Sequence, residues 1–335
     1  MRSRQGILFA IFTIFLILLF GADLMTGELE ISPSQMWAAL TGGQCDQLIS
    51  EVVWKIRFVK TVVALIVGVA LSAAGLQMQT LFCNPLAGPY VLGVSSGAGL
   101  GVSLFLLGAP ILGVTYSPLW QSIGIAGAAW IGSAAILIIM MVVSQRIKDI
   151  MAILVLGMML GSGVGSLVEI LQYLSEESAL KSFVIWTMGS LGDVTQRQLW
   201  VLSTAVIIGA LLTLSIIKPL NILLLGENYA RIMGVNLGRT RSIIFIATTL
   251  LAGSVTAFCG PIGFVGLAIP HVARMLFRTA DHAILIPASM LLGAVMMLLC
   301  DIISKNLLLP INAITALAGI PIVIAVVLQN RSIAQ

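Results

Sequence analysis

The sequence predicts an all-α, polytopic membrane protein with about ten transmembrane helices in a single domain, residues 1–335. Of its 335 residues, 59% are hydrophobic and only 9% are charged, whereas a typical soluble domain carries about 25% charged residues. The mean hydropathy is +1.11. A helix that crosses a hydrocarbon core of about 30 Å needs roughly 20 mostly apolar residues. About ten windows of this kind follow one another along the chain.

The predicted spans differ mainly in length, and the eighth is the shortest. The first is expected to remain as a helix rather than to be removed as a signal peptide, because it is long and no small-x-small cleavage site follows it. In chain order the spans are Ile7 to Met25, Phe58 to Phe82, Tyr90 to Val114, Leu119 to Ser144, Ile150 to Leu174, Leu199 to Ile217, Ser242 to Phe258, Gly260 to His271, Ala283 to Ser304 and Asn312 to Leu328.

The distribution of basic residues predicts the orientation of these spans. With the N-terminus inside, eleven of the 17 lysines and arginines fall at cytoplasmic helix ends and loops. This excess follows the positive-inside rule, so both termini are expected in the cytoplasm. The pI of about 9.0 is then a consequence of topology and does not indicate nucleic-acid binding.

Several kinds of chemistry are missing from the sequence. The four cysteines and two histidines show no CxxC or Cys/His ligand spacing, so neither a disulfide framework nor a metal site is predicted, and His271 is expected to be structural. No GxxxxGK[ST] occurs. The chain is therefore expected to bind no cofactor and to catalyse no reaction, and any ATP must be handled by a partner.

Three hydrophilic loops are long enough to fold: outer loops at about 26–56 and 175–198, and an inner loop at about 218–241. In the inner loop, Gly226 and Gly234 bracket about two turns of helix, with Glu227 and Arg231 spaced for an i,i+4 pair. A capped helix on the cytoplasmic face predicts a docking element, and a solvated connector is the alternative. In the outer loop 175–198, FVIWTMGSL predicts an interfacial helix with Trp186 at headgroup depth.

Two segments rich in helix breakers lie inside the apolar region: FCNPLAGPYVLGVSSGAGLG at Phe82 to Gly101, and GPIGFVGLAIPH at Gly260 to His271. Irregular backbone at membrane depth is tolerated only where protein or a water-filled cavity satisfies it. Such segments commonly flank a transport route, although packing defects also produce them. The GAGLG at Gly97 to Gly101 is expected to allow tight helix packing, because no strand precedes it as a dinucleotide fingerprint requires.

Small residues follow one face of the fifth span. Gly157, Gly161 and Gly165 are four residues apart, a spacing typical of close helix contact, but the same face could line a wide lumen. Glu169 lies on the same face near the outer end of the span, and the sequence leaves open whether its side chain faces a cavity. Asp301 is expected to be a cap or a pair. Acidic residues at membrane depth, which a proton- or sodium-coupled carrier usually needs, are otherwise scarce.

The motifs together resemble one family across nearly the whole chain. The stretch KIRFVKTVVALIVGVALSAAGLQMQTLFCNPLAGPYVLGVSSGAGLG resembles the signature of the FecCD-type permeases of ABC importers for iron-siderophores, haem and cobalamin. The segments GPIGFVGLAIPHVAR, LLLGENYARIMGV, CDIISK and LPINAITALAGIP are similar to its other blocks, in the same order.

The resemblance implies a type II ABC importer permease in a bacterial inner membrane. It implies a homodimer of ten-helix subunits with two cytoplasmic ATPase subunits, which use ATP and Mg, and a periplasmic or lipid-anchored substrate-binding protein. The cargo would be a large metal chelate: a ferric siderophore, haem or cobalamin. The residues implied are Asn84, Pro85 and Leu86 as the cytoplasmic gate, Gly226, Glu227, Ala230, Arg231 and Gly234 as the ATPase coupling element, and Arg57, Lys60 and Lys305 as binding-protein docking sites.

The chain departs from the family pattern near the outer face. The usual Arg-Leu-Pro-Arg is replaced by Arg57, Phe58, Val59 and Lys60, and Asn312 stands where the family has glycine. Leu308 likewise replaces a glutamate. The alternative function is a secondary carrier or channel that works without ATP, which the scarcity of intramembrane acids disfavours.

Overall fold

The structure, a computed structural model, describes residues 2–27, 29–43, 45–108, 118–147 and 149–331. Its regular elements are helices, and we number them in chain order. They are α1 (Arg2–Met25), α2 (Pro33–Thr41), α3 (Gln47–Leu81), α4 (Val94–Gly108), α5 (Pro118–Arg146), α6 (Ile150–Leu174), α7 (Glu177–Thr187), α8 (Gln196–Ser215), α9 (Ile217–Leu223), α10 (Glu227–Ile232), α11 (Leu237–Cys259), α12 (Val265–Phe277), α13 (His282–Leu307) and α14 (Ile311–Arg331).

The ten predicted spans correspond to ten apolar helices among the described residues. Seven are long enough to cross a membrane, and α4, α12 and α14 supply three shorter apolar helices. Several predicted boundaries differ, and the second span, α3, begins at Gln47 instead of Phe58. The eighth span begins at Val265 instead of Gly260, because the segment 260–264 is not helical, and it continues to Phe277. The last part of the third predicted span, 109–114, lies outside the described residues.

The second span, α3, forms the centre of the bundle. From Phe58 to Leu81 it is buried along most of its length. Two of its glycines explain how neighbours approach so closely. A β-carbon at Gly68 would lie 2.1 Å from the carbonyl oxygen of Gly293 in α13, and one at Gly75 would lie 1.8 Å from that of Gly266 in α12. Only glycine fits at such backbone contacts, as in other closely packed membrane helices.

The GAGLG stretch packs α4 against α5, as predicted. A β-carbon at Gly97 would lie 2.5 Å from the carbonyl oxygen of Gly132, and one at Gly101 would lie 2.0 Å from that of Ala128. Gly99, between them, has open space around it. The glycines at the α4–α5 contact are therefore a helix-packing device.

The loops predicted to lie outside fold into short helices packed on the bundle. α2 begins at Ser32 with a capping box, in which Ser32 and Gln35 satisfy each other's backbone donors. The predicted interfacial helix is α7, and its Phe183 is buried against the outer part of α4 together with the half-buried Trp186. Trp186 therefore lies beside protein on at least one side.

Candidate translocation gate and coupling surface

The predicted gate residues form a tight turn after the inner end of α3. The Leu86 N–H donates to Asn84 Oδ1 at 2.9 Å, and the Ala87 N–H donates to the Asn84 carbonyl at 3.1 Å. Asn84 is half-buried, whereas Pro85 and Leu86 are exposed, Leu86 to 46%. The turn thus presents an apolar side chain on a backbone that the asparagine stabilises.

Helix α12 holds this turn and the end of α3 in place. His271 Nε2 lies 2.8 Å from the Pro85 carbonyl oxygen and donates to it. One turn further along α12, Arg274 Nη1 donates to Gln79 Oε1 at 2.7 Å. His271 is therefore structural, as predicted, and it attaches the gate turn to the helix that follows the second broken segment.

That second broken segment, 260–264, is fixed by three other parts of the chain. The Tyr90 hydroxyl donates to the Ile262 carbonyl at 2.8 Å, from the 3-10 turn that precedes α4. The Gly263 N–H donates to Asn312 Oδ1 at 3.0 Å, and the Ser190 N–H donates to the Cys259 carbonyl at 2.8 Å. The irregular backbone is thus satisfied by protein groups, as membrane depth requires. Asn312, a departure from the family pattern, has a defined bond here.

The predicted coupling element is a separate short helix, α10, between two glycines with positive φ. Gly226 has φ 96° and Gly234 has φ 81°, conformations that favour glycine. Ala230 is fully buried and packs with Leu223 and Leu237. Ala230 therefore fixes the helix to the subunit and is not available to contact a partner.

The predicted pair within α10 is wrong. Glu227 Oε1 pairs with Arg241 Nη2 of α11 at 2.5 Å, and Arg231 makes no ion pair in the described part of the chain. Arg241 also donates to the carbonyls of Ser144 and Ile147 at the end of α5. An i,i+4 spacing permits a pair on one helix, but the buried Arg241 offers Glu227 a partner that is shielded from water. No spacing in the sequence indicates this pair, because Arg241 lies 14 positions from Glu227 on another helix.

Several apolar side chains of this hydrophilic loop are exposed to solvent. Their exposed fractions range from 45% to 84%, and the set is Leu224, Leu225, Tyr229, Ile232 and Met233. We call these five residues the coupling patch. Scattered exposed apolar residues are ordinary, but five on and around one capped helix form a surface suited to a protein partner.

The gate turn and the coupling element lie within electrostatic reach of each other. Burial, and to a smaller extent the negative charge of Glu227, raises the pKa of the Cys83 thiol next to the gate turn. Cys83 itself has φ 47°, so the chain leaves α3 through a strained residue.

The three basic residues predicted for docking at the outer face have partners inside the subunit. Lys305 Nζ lies 2.8 Å from Asp23 Oδ1 and 2.9 Å from Asp301 Oδ2, and Lys60 Nζ lies 3.3 Å from Asp301 Oδ1. Thr61 also donates to Asp23 Oδ2 at 2.6 Å. We call Asp23, Lys60, Asp301 and Lys305 the outer charge network. The pairing predicted for Asp301 is confirmed. The second acidic partner of Lys305, Asp23 on α1, is not indicated by any spacing in the sequence.

Arg57, the third of these basic residues, is only 4% exposed. Its guanidinium donates to the carbonyls of Leu24 at 3.1 Å and Met25 at 2.9 Å, at the end of α1, and to that of Leu29. Arg57 therefore satisfies carbonyls that the last turn of α1 cannot bond itself. The docking role of the three cations stays a prediction, and of the three Lys60 keeps the most exposed side chain, at 25%.

The small-residue face of α6 divides into two parts. Gly157 is buried, and a β-carbon at Gly161 would lie 3.3 Å from Ser96 Oγ, so this part contacts the start of α4. Gly165 has nothing within 4 Å, and Glu169 is exposed. Close helix contact thus accounts for the inner glycines, and the outer pair faces away from the subunit.

No group of three or more His, Cys, Asp or Glu side chains that could hold a metal occurs within the described ranges. All four cysteines are free thiols.

A family model, that of the FecCD transport family, matches residues 14–329. The chain belongs to the FecCD transport family.

Individual relatives agree with this assignment. The chain is 36% identical to the vitamin B12 import system permease protein BtuC of Klebsiella pneumoniae subsp. pneumoniae, over 98% of this chain and 95% of the relative. It is also 36% identical to that of Escherichia coli O9:H4, with 98% of each chain covered. The BtuC of Citrobacter koseri is 38% identical over 83% of each chain.

Solved structures support the fold. An inward-facing ABC transporter of the metal-chelate type has a TM-score of 0.84 and 30% identity, covering 97% of this chain and 99% of its own. PsaBC from Streptococcus pneumoniae, in complex with Fab, has a TM-score of 0.57 at 18% identity and supports the fold alone. This FecCD family member is therefore a multi-pass membrane permease.

Proposed function

We propose that the chain is the translocating subunit of an ABC importer that moves a large metal chelate into the cytoplasm by ATP-driven alternating access. The similarity to vitamin B12 import permeases along 98% of the chain carries this proposal. Cobalamin is the first substrate to test, and haem and ferric siderophores, which the family resemblance also implies, are the competitors. ATP hydrolysis is assigned to two separate ATPase subunits, because the sequence contains no phosphate-binding loop.

The coupling patch supports the ATPase assignment. Its side chains protrude on the hydrophilic loop predicted to be cytoplasmic, while Ala230 and the Glu227–Arg241 pair fix the helix from below. A rigid support with an exposed apolar surface is suited to transmit force from a soluble partner. A carrier without ATP has no need of such a surface.

The exposed face of α6 supports a homodimer. Leu167, Ile170 and Tyr173 are 51%, 56% and 90% exposed, and Glu169 is exposed among them. A carboxylate directed into lipid is costly, so we assign this face to a second copy or to a water-filled path between the copies. Gly165 and Glu169 are the pathway-lining candidates on it, and the turn at Asn84 to Leu86 closes the path from the cytoplasm.

The decisive experiment is uptake by proteoliposomes that contain the permease, its ATPase and its binding protein. Radiolabelled cobalamin is offered alone and in competition with haem and ferric siderophores. We expect uptake of one chelate that stops when the ATPase carries a substitution of its phosphate-binding lysine. Uptake that continues with that ATPase would support the secondary carrier instead.

A further inference from the structure

Three polar side chains connect the inner end of α3 to the loop that carries the coupling patch. Thr80 Oγ1 lies 2.8 Å from His282 Nε2, and His282 Nδ1 lies 2.7 Å from Asn221 Oδ1. Thr80 is 3% exposed and His282 is fully buried. The three residues come from α3, α13 and α9, so the contact is entirely tertiary.

The hydrogen bonds around Asn221 determine which side-chain atoms of Asn221 and His282 donate and which accept. Asn221 Nδ2 donates to Asp281 Oδ1 at 2.7 Å, and the backbone N–H of His282 donates to Asn221 Oδ1 at 2.8 Å. Asn221 Oδ1 is thus an acceptor, and His282 Nδ1 must carry the hydrogen that it receives. In the neutral ring, Nε2 is then an acceptor for the Thr80 hydroxyl, which also lies 3.0 Å from the Leu76 carbonyl oxygen of its own helix. A buried network in which each member is satisfied is rigid.

The two ends of this hydrogen-bonded series, Asn221 and Thr80, lie next to the coupling patch and next to the gate turn. Asn221 lies on α9, whose Leu223 packs against Ala230 under the coupling patch. Thr80 is in the last turn of α3, and the backbone N–H of Asn84 donates to the carbonyl of Gln79 beside it, at 3.2 Å. The path from the coupling patch to the gate turn is therefore continuous.

We infer that Thr80, His282 and Asn221 act as a positioning linkage, which makes the gate turn follow the movement of the coupling loop. This inference rests on the proposed function. The gate turn is attached on its other side to α12, through His271 and Pro85. Because one attachment leads to α12 and the other to α9, a displacement of α9 relative to α12 is converted into a displacement of the turn. Without the linkage, ATP hydrolysis continues but moves the gate less.

The test compares ATP consumption with transport in the reconstituted complex. Thr80→Val keeps the side-chain volume and removes the hydroxyl. We expect the number of ATP molecules hydrolysed per chelate imported to rise roughly twofold to thirtyfold, the range that corresponds to mutations that alter coupling energies. Thr80→Ser keeps the hydroxyl and should restore the wild-type ratio.

A matched control removes a hydroxyl that is not part of the Thr80–His282–Asn221 hydrogen-bonded series. Among the described residues, the Thr249 hydroxyl donates to the Phe245 carbonyl of its own helix, at 3.0 Å. Thr249→Val should leave the ratio unchanged. If Thr80→Val fails to assemble with the ATPase in a pull-down, Asn221→Ala serves in its place, since Asn221 is only half-buried.

A second readout follows the gate directly. A spin label at Leu86→Cys, in a background with Cys83→Ser and Cys45→Ser, reports the distance between the turns of the two copies. We expect ATP to change this distance in Thr80→Ser and to change it much less in Thr80→Val.

The outcomes separate the linkage from the proposed function. An unchanged ATP-to-chelate ratio and an unchanged label response in Thr80→Val overturn the linkage, and so does a proportional loss of hydrolysis and transport. A wild-type complex that imports no chelate in an ATP-dependent way contradicts the proposed function and the linkage together.

Discussion

The outer charge network and the inner loop both contain buried ion pairs, but they expose different surfaces. At the outer face, Lys305 is 7% exposed and its partners Asp23 and Asp301 are almost fully buried. In the inner loop, Glu227 and Arg241 are paired beneath α10, while Ile232 and Met233 protrude into solvent. In both places the charged residues hold helices together. The inner loop in addition exposes the five apolar side chains of the coupling patch.

This difference shows that the type of a residue at a helix end does not reveal whether its side chain contacts another protein or the same subunit. The basic residues at the outer face resembled a docking site because their positions match the family's pattern, yet each has carboxylates or carbonyls of the same subunit within bonding distance. In the coupling loop, the family pattern included Ala230, and the surface that protrudes consists of other residues. Four predictions, each with its own control, test this comparison.

The largest effect is expected from Lys305→Met. This change leaves Asp23 and Asp301 buried with one cation fewer between them. Removing one partner of a buried charge pair costs about 3–5 kcal/mol, so the free energy of unfolding should fall by that amount. Thermal denaturation of the detergent-solubilised protein measures the loss.

Lys60→Met is the matched control for this variant, since Asp301 keeps Lys305 as a partner. It should destabilise the protein clearly less. Equal losses for the two lysines would show that the outer charge network does not hold α1 to α13.

Ile232→Glu should weaken binding of the ATPase. The side chain is 84% exposed in the subunit, so folding is expected to be unaffected. Burying an isoleucine side chain in a partner contributes about 1.5–3 kcal/mol, and a carboxylate there adds a desolvation cost. The dissociation constant should rise about tenfold to a hundredfold in a quantitative pull-down.

Leu48→Glu is the corresponding control on the outer side, where the side chain is 62% exposed. It should leave ATPase binding at the wild-type level. Ala230→Glu, by contrast, should destabilise α10 itself, because Ala230 is fully buried. If Ile232→Glu binds the ATPase normally, the coupling patch is not the docking surface.

Lys60→Gln tests the predicted docking role at the outer face. Of the three basic residues there, Lys60 has the most exposed side chain, so a carboxylate of a binding protein could reach it most easily. An exposed ion pair contributes about 0–1 kcal/mol, which limits the loss of affinity to about fivefold. Titration of the binding protein at low and moderate salt measures this loss, which should shrink as salt increases.

Arg57→Gln should not show this salt-dependent loss, because the Arg57 guanidinium is occupied by carbonyl oxygens of α1 and Leu29. A salt-dependent effect in Arg57→Gln but none in Lys60→Gln would contradict this division of roles.

The smallest effect concerns Cys83. The negative charge of Glu227 contributes to the raised pKa of this thiol, so Glu227→Gln should lower the pKa and increase the thiolate fraction at neutral pH. Because this charge is the smaller of the two causes, the rate of alkylation should rise only slightly. Cys45 in the outer loop is the internal reference, and its rate should not change.

The sequence by itself determined the membrane class, the ten apolar helices and the family. Hydropathy is a property of each segment, and a motif such as CNPLAGPY forms its turn from neighbouring residues, with Asn84 bonding the backbone two positions on. The capped helix α10 was predictable for the same reason, because glycines at Gly226 and Gly234 permit the positive φ that begins and ends it.

Tertiary structure alone decided which residues meet. Glu227 pairs with Arg241 and not with Arg231, and Asp23 pairs with Lys305, which is 282 positions away in the sequence. Thr80 is connected to Asn221 by hydrogen bonds through His282. Each choice depends on burial, since a polar group removed from water must find a partner wherever the packing of helices provides one. Spacing along one helix lists the candidates, but the close approach of α3 to α12 and α13, permitted by Gly68 and Gly75, selects among them.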